Sequence, residues 1–134
     1  MFSPLNFDSG RTRKVALAIS QTILKGDPLT FVGGYLAAVA TTTEDVYAVA
    51  LEDVTTDGSS HTKCLVLPVD GVRFEADCDG VVSIADIGTR CDLATVRTLN
   101  PDAVAEMVFL IEEIVGAAEV STTVIGTFSR FTAT

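Results

Sequence analysis

The chain has 134 residues, 48% of them hydrophobic, and carries 18 acidic against 9 basic side chains, a formal charge of −9. That length is one domain, for which area scaling gives about 6,700 Å² of folded surface and roughly two-thirds of the chain's surface buried. The charge argues against non-specific nucleic-acid binding, which needs surplus Lys and Arg to neutralise phosphates, and no segment reaches the ~20 apolar residues of a membrane span.

The charge is unevenly placed. Residues 1–26 hold Arg11, Arg13, Lys14 and Lys25 against Asp8 alone, whereas the rest holds five bases and seventeen acids. Met1 to Thr12 mixes Phe2, Pro4, Leu5, Phe7 and Gly10 without periodicity. It is read, with residues up to 14, as an N-terminal arm that docks on another surface, the alternative being that Phe2 and Phe7 fold back onto their own domain. It has no apolar run of signal-peptide length, so synthesis as a soluble cytoplasmic protein is expected.

The domain proper, residues 15–134, reads as a succession of short strands. Val15, Leu17 and Ile19 alternate with smaller residues and predict the first. Gly26-Asp27-Pro28 breaks the chain, because proline fixes its own φ and disfavours helix before it. Leu29–Val32 and Tyr35–Val39 flank Gly33-Gly34, a dipeptide that accepts the positive φ values of a tight hairpin turn. After a polar link over Thr41–Asp45, Tyr47, Val49 and Leu51 alternate with Ala48 and Ala50, and the large face is expected to pack on Val15, Leu17 and Ile19. A polar loop, Thr55–Thr62, precedes the strand Lys63–Val69, whose Pro68 belongs at an edge or a strand end. Asp70-Gly71 and Asp79-Gly80 then punctuate strands over Val72–Ala76 and Val81–Ile84. Ser83–Ala94 predicts one helical turn near Ala85–Ile87 and a short segment around Leu93. Residues 101–115 carry both a helical and a strand pattern. Asn100 and Pro101 suit a helix start, while Met107–Val115 is rich in strand formers and Thr122–Arg130 is its natural partner. We read a helical turn over Pro101–Glu106, then a strand, a loop over Gly116–Ser121 and a last strand. Repeated Asp-Gly turns between alternating runs predict an all-β barrel or sandwich.

Chemical motifs are sparse. Glu75, Asp77, Asp79 and Asp86 with Gly80 echo the spacing of a calcium loop, but Glu stands first, Asp stands last and no helix leads in, so a hairpin turn with solvated carboxylates is the reading. His61 is the only histidine and lies in a loop, and Ser59 and Ser60 lack a nucleophile elbow. Glu112 and Glu113, adjacent on a strand, should face opposite ways. Cys64, Cys78 and Cys91 have no C-x-x-C and are read as reduced, partly buried thiols.

Taken in order, the alternating first strand, K-G-D-P-L-T, the G-G hairpin, V-Y-A-V-A-L-E-D, G-V-R-F-E-A, D-I-G-T-R-C-D-L, F-L-I-E-E-I-V-G and V-I-G-T-F resemble the small capsid decoration, or cement, proteins of tailed bacteriophages, from about Val15 to Phe131. The resemblance implies a compact β-barrel or β-tulip domain that forms a homotrimer on the exterior of the virion's capsid, binds the major capsid protein and stabilises the head without catalysis or cofactor. In that setting the arm offers Phe2, Leu5 and Phe7 as apolar anchors, and Arg11, Arg13 and Lys14 as partners for acidic groups on the shell. The alternatives are a small trimeric β-barrel nucleotide hydrolase and a ligand- or glycan-binding barrel.

Overall fold

The computed structural model describes residues 1–43 and 45–129. Its strands are β1 (Phe2–Leu5), β2 (Arg13–Ala16), β3 (Thr22–Ile23), β4 (Pro28–Val32), β5 (Tyr35–Ala38), β6 (Ala48–Ala50), β7 (Val54–Thr55), β8 (Lys63–Pro68), β9 (Arg73–Asp77), β10 (Arg90–Thr95), β11 (Thr98–Asn100), β12 (Phe109–Ile114) and β13 (Thr123–Phe128), with single 3-10 turns at Ser9–Arg11 and Ile84–Asp86. They form a six-stranded sheet in the order β1-β9-β13-β12-β10-β11, a five-stranded sheet in the order β2-β8-β6-β4-β5, and the pair β3-β7. Named strand pairs are antiparallel. The all-β class read from the sequence is the class observed, and the surface of 6742 Å² agrees with the size-based figure. The named strand pairs do not draw a closed barrel; Leu17, just past β2, makes an isolated parallel bridge to Leu36 of β5, and the Ala18 N–H donates to the Leu36 carbonyl at 2.8 Å.

The core follows from the period-two pattern. Along β9, Phe74 and Ala76 are buried while Arg73, Glu75 and Asp77 are exposed. Four rings, Phe2, Phe74, Phe109 and Phe128, meet in the main cluster, with Phe128 at 4.9 Å from Phe2, 5.3 Å from Phe74 and 5.1 Å from Phe109 between centroids. Tilted and edge-to-face contacts at these separations suit the quadrupoles of the rings. Gly126 makes room for them. A Cβ there would run into the Leu110 carbonyl and lie 2.7 Å from the Phe109 ring.

The five-stranded sheet is apolar on both faces. Val49 and Leu67 join the phenylalanine cluster, whereas Ala48, Ala50, Cys64 and Val66 join Leu17, Ile23, Leu29 and Leu36 in a second cluster. This corrects the expected packing of β6 in part. Tyr47 packs on the cluster of Leu17 and Val15 as read, but Val49 and Leu51 face the other sheet, the small Ala48 and Ala50 join Leu17 in their place, and Ile19 is 41% exposed. Small alanines are what allow a second layer to lie close to this strand.

The hairpin forms as read, with Val32 opposite Tyr35 and φ values of 59° and 89° at Gly33 and Gly34. Pro68 is the last residue of β8, opposite Ala48, as its missing N–H requires. Elsewhere the expectations are revised. Val81–Ile84 is not a strand, because the backbone there turns to the neighbouring loop, Val82 N–H donating to the Ser121 carbonyl at 3.0 Å. Pro101–Glu106 is turn rather than helix, since the Asp92 carboxylate takes the N–H groups that an intrahelical ladder would use. The short pair β3-β7 and the strand β11 went unread. Arg130 and Phe131, the expected ends of the last strand and of the resemblance, and Glu44 of the polar link lie outside the described residues. Among the described residues no helix is long and apolar enough to cross a membrane.

Residues 1–14 are built into both sheets. β1 pairs along its length with β9, Phe2 opposite Ala76, and Phe2 is fully buried. The boundary expected between Lys14 and Val15 falls inside β2. Phe2→Ala should therefore lower the unfolding free energy by about 3–5 kcal/mol, and Gly126→Ala should be comparably damaging through backbone collision. Chemical denaturation followed by circular dichroism measures both, and a wild-type midpoint for either variant would contradict this packing.

Candidate functional site

The expected capsid-contact residues separate once folded. Phe2 lies in the core and Leu5 is half-buried at the end of β1, opposite Arg73. Phe7, 36% exposed, follows the strand on the connection between the two sheets. Asp8 caps the 3-10 turn, its Oδ1 accepting from Gly10 N–H at 2.8 Å, and so holds Arg11 beside the Asp70 carbonyl, to which its guanidinium donates. Arg13 and Lys14 project from β2, an edge strand, where charged side chains oppose further strand addition. Lys14 Nζ is 3.8 Å from Glu52, an exposed pair of small energetic weight. Phe2 and Phe7 thus border one groove from the core and the connection, while Arg13 and Lys14 stand on the other sheet.

Where the sheets abut, a groove of about 560 Å³ opens between β1 and the segments at 25–26 and 50–51. Pro4 and Phe7 line it from one sheet, and Lys25, Ala50 and Leu51 from the other. Gly26, at φ 91°, lies under the Met1 side chain, where a Cβ would fall 2.5 Å from Met1 Cγ. The Phe2 N–H donates to the Gly26 carbonyl at 3.3 Å.

The same region carries an ion-pair bolt that sequence reading missed. Asp27, 3% exposed at its side chain, receives Arg97 through both oxygens, Nε at 2.8 Å and Nη2 at 2.9 Å, and its Oδ2 also accepts from Leu24 N–H at 3.0 Å. Planar guanidinium and carboxylate match in this two-point geometry. The Met1 ammonium donates to the Arg97 carbonyl at 2.8 Å and lies 3.5 Å from Asp77. The only signal for Asp27 was its place before Pro28, which marks a turn but not a partner 70 residues away.

The other candidates have structural occupations. Glu75 and Asp77 point outward from β9, while Asp86 turns back to accept from Ser83 N–H at 2.8 Å, so the acidic stretch is spread over a strand and a cap. Among the described residues no three His, Cys, Asp or Glu side chains converge as metal ligands. Glu112 and Glu113 do not point apart as expected. The register slips between Ile111 and Glu113, and this bulge lets both meet Arg73, at 3.2 and 2.9 Å. His61 stacks on Tyr35 with centroids 3.7 Å apart and 6° between planes, its Nδ1 lying 2.9 Å from the Leu17 carbonyl.

Asp92 is a buried carboxylate spent on backbone donors. It is 5% exposed and accepts from Ala105, Glu106 and Met107 N–H groups at 2.8–2.9 Å. Burial pushes its pKa up, but the N–H groups of Met107, Ala105 and Glu106 outweigh it and hold the carboxyl below its ordinary 3.8. The three cysteines are free and buried. Burial foremost, with Glu52 beside Cys64 and Asp77 beside Cys78, pushes those thiols up to about 11; burial and Cys78 push Cys91 up to about 12. Thiolate is the reactive form, so these side chains are inert packing groups at neutral pH.

Compared with protein-family models, curated proteins and solved structures, the chain matches none.

A depressed carboxyl stabilises the fold fully above its unfolded value and stops doing so as pH falls through the folded one. Stability should therefore fall as pH drops below about 4, and Asp92→Asn should be less stable at pH 7 with a flatter acid limb. Urea midpoints from pH 2.5 to 7 test this; identical acid limbs would contradict the role of Asp92. In the folded protein a thiol reagent at pH 7.5 should modify Cys64, Cys78 and Cys91 at least a hundred-fold more slowly than in denaturant, as read by absorbance and mass.

Proposed function

We propose that the chain is a non-enzymatic decoration protein that binds the outer surface of a tailed-phage capsid as a homotrimer and stabilises the shell. The observation that carries the reading is the order of the sequence blocks in the resemblance taken together with the elements they form. K-G-D-P-L-T leads into β4, the G-G turn joins β4 to β5, V-Y-A-V-A-L-E-D contains β6, G-V-R-F-E-A contains most of β9, and the later blocks lie on β10, β12 and β13. The strands and turns that make up the likeness are the ones the chain uses to build its sheets. The uneven charge adds a physical reason for docking. A molecule of charge −9 presents exposed Arg11, Arg13 and Lys14 within its first fourteen residues, and a lattice of identical sites multiplies modest contacts by avidity.

The contact group differs from the arm first expected. Phe2 belongs to the core, and the accessible set is Phe7, Arg11, Arg13 and Lys14, with Leu5 at its margin. Deleting residues 1–12 would remove β1 and unfold the protein, so it is no test of binding. Point changes are. The purified protein, mixed with emptied heads encoded by the same genome, should co-sediment with them up to a fixed number of copies. The Arg11→Glu, Arg13→Glu double variant should keep its thermal midpoint and lose at least ten-fold in affinity, with the difference shrinking in high salt. Failure of the wild type to bind heads, or a monomeric mass by light scattering in place of three times 14.1 kDa, would overturn the corresponding part of the reading.

A further inference from the structure

The groove at the seam between the sheets is a concavity that Phe7 of the contact group lines. Its volume, about 560 Å³, is within the range of binding clefts and ample for one or two large side chains. Its walls are apolar, from Pro4, Phe7 and Leu51, and Lys25 stands exposed at its rim. The acids near that rim are committed. Asp53 accepts the Lys25 backbone N–H at 2.6 Å, Glu52 accepts Leu65 N–H at 2.9 Å and pairs with Lys14, Asp77 lies by the Met1 ammonium, and Asp27 holds Arg97. Among the described residues no carboxylate lies within ion-pair distance of Lys25 Nζ.

Apolar walls with one free cation at the lip complement an apolar side chain that carries a carboxylate beside it in sequence. The groove lacks the convergent buried donors and acceptors that orient a small metabolite. Weak capture of a side chain, repeated over a lattice, needs none. β1 itself is closed to strand addition on this side, because the outward Phe2 N–H is taken by Gly26 and Pro4 has no N–H to offer. The occupant therefore enters as a side chain and not as an added strand.

Resting on the decoration reading, we propose that this groove receives an aromatic or large aliphatic side chain flanked by Asp or Glu, from an exposed segment of the capsid protein. Lys25 pairs with the carboxylate while Phe7, Pro4 and Leu51 enclose the apolar group.

The test compares wild type, Lys25→Glu, Ser3→Trp and Lys63→Glu for co-sedimentation with emptied heads. Ser3 is exposed and lines the groove, so an indole there fills it without entering the core, and Lys63 is an exposed base outside it. Circular dichroism melts establish that each variant is folded. The expected result is a loss of at least ten-fold in affinity for Lys25→Glu and Ser3→Trp, with Lys63→Glu within two-fold of wild type. Wild-type binding by both groove variants would overturn the groove assignment and leave the decoration reading standing. Equal loss in all three variants would assign the effect to general charge and surface perturbation and likewise overturn it. Failure of the wild type to bind would overturn the decoration reading itself, and the groove assignment with it.

Discussion

The phenylalanine cluster governs the arrangement of everything else. Phe2, Phe74, Phe109 and Phe128 come from four different strands of one sheet, and they interlock because Gly126 leaves space beneath the Phe109 ring. A ring of this size buries 150–250 Å² and contributes strongly to folding. Taking Phe2 into the cluster pulls the first residues of the chain across β9, opposite the small Ala76, which leaves room for the ring. Burial of one side chain thus converts a segment without periodicity into a strand. It also fixes where the neighbouring surface residues stand, since Phe7 and Arg11 follow from a start pinned in the core.

The two sheets are joined through more than apolar packing. Asp27, at the head of β4, is bound by Arg97 from the turn between β10 and β11, so a residue of one sheet holds a loop of the other. Buried pairs add little net stability over apolar replacements, because desolvation offsets their attraction, but they are sensitive to loss of one partner and specific in geometry. Here the pair ties the residue after Gly26, which borders the groove, to the turn between β10 and β11. Carboxylates do similar work elsewhere. Asp8, Glu52, Asp53, Asp57, Asp86 and Asp92 each accept from a backbone N–H. Much of the acidic excess is accordingly structural, holding loops that connect short strands.

What could be read from the sequence was what depends on neighbours. The Gly33-Gly34 turn, the alternation along β8 and β9, and the Pro68 strand end each follow from a few adjacent residues, and each is present. What escaped depends on distant partners. Phe2 is apolar but aperiodic, and its fate was decided by rings more than 70 residues away. Pro101–Glu106 has a respectable helix start, yet Asp92 offers its N–H groups a better acceptor. Glu112 and Glu113 share Arg73 because of a bulge, a one-residue insertion in pairing that composition does not announce. Of the six residues expected to form a contact surface, the structure removes Phe2 and keeps Phe7, Arg11, Arg13 and Lys14 exposed, while Lys25 and Leu51, which line the groove, belong to a stretch that reads only as turn and scaffold.

The groove's position explains why a binding surface would form there in a chain of this size. The phenylalanine cluster draws on both sheets, the second cluster lies on the other face of the five-stranded one, and the groove opens where β1 meets the segments at 25–26 and 50–51. Gly26 borders it with no side chain to fill it, held at φ 91° with Met1 against it, and Ala50 turns its side chain away into the second cluster on the opposite face of β6. The concavity is thus a by-product of constraints that folding imposes on these two residues. A surface recess that packing keeps open beside the exposed Lys25 costs the protein little to retain, and it is the recess for which an apolar side chain flanked by a carboxylate is proposed.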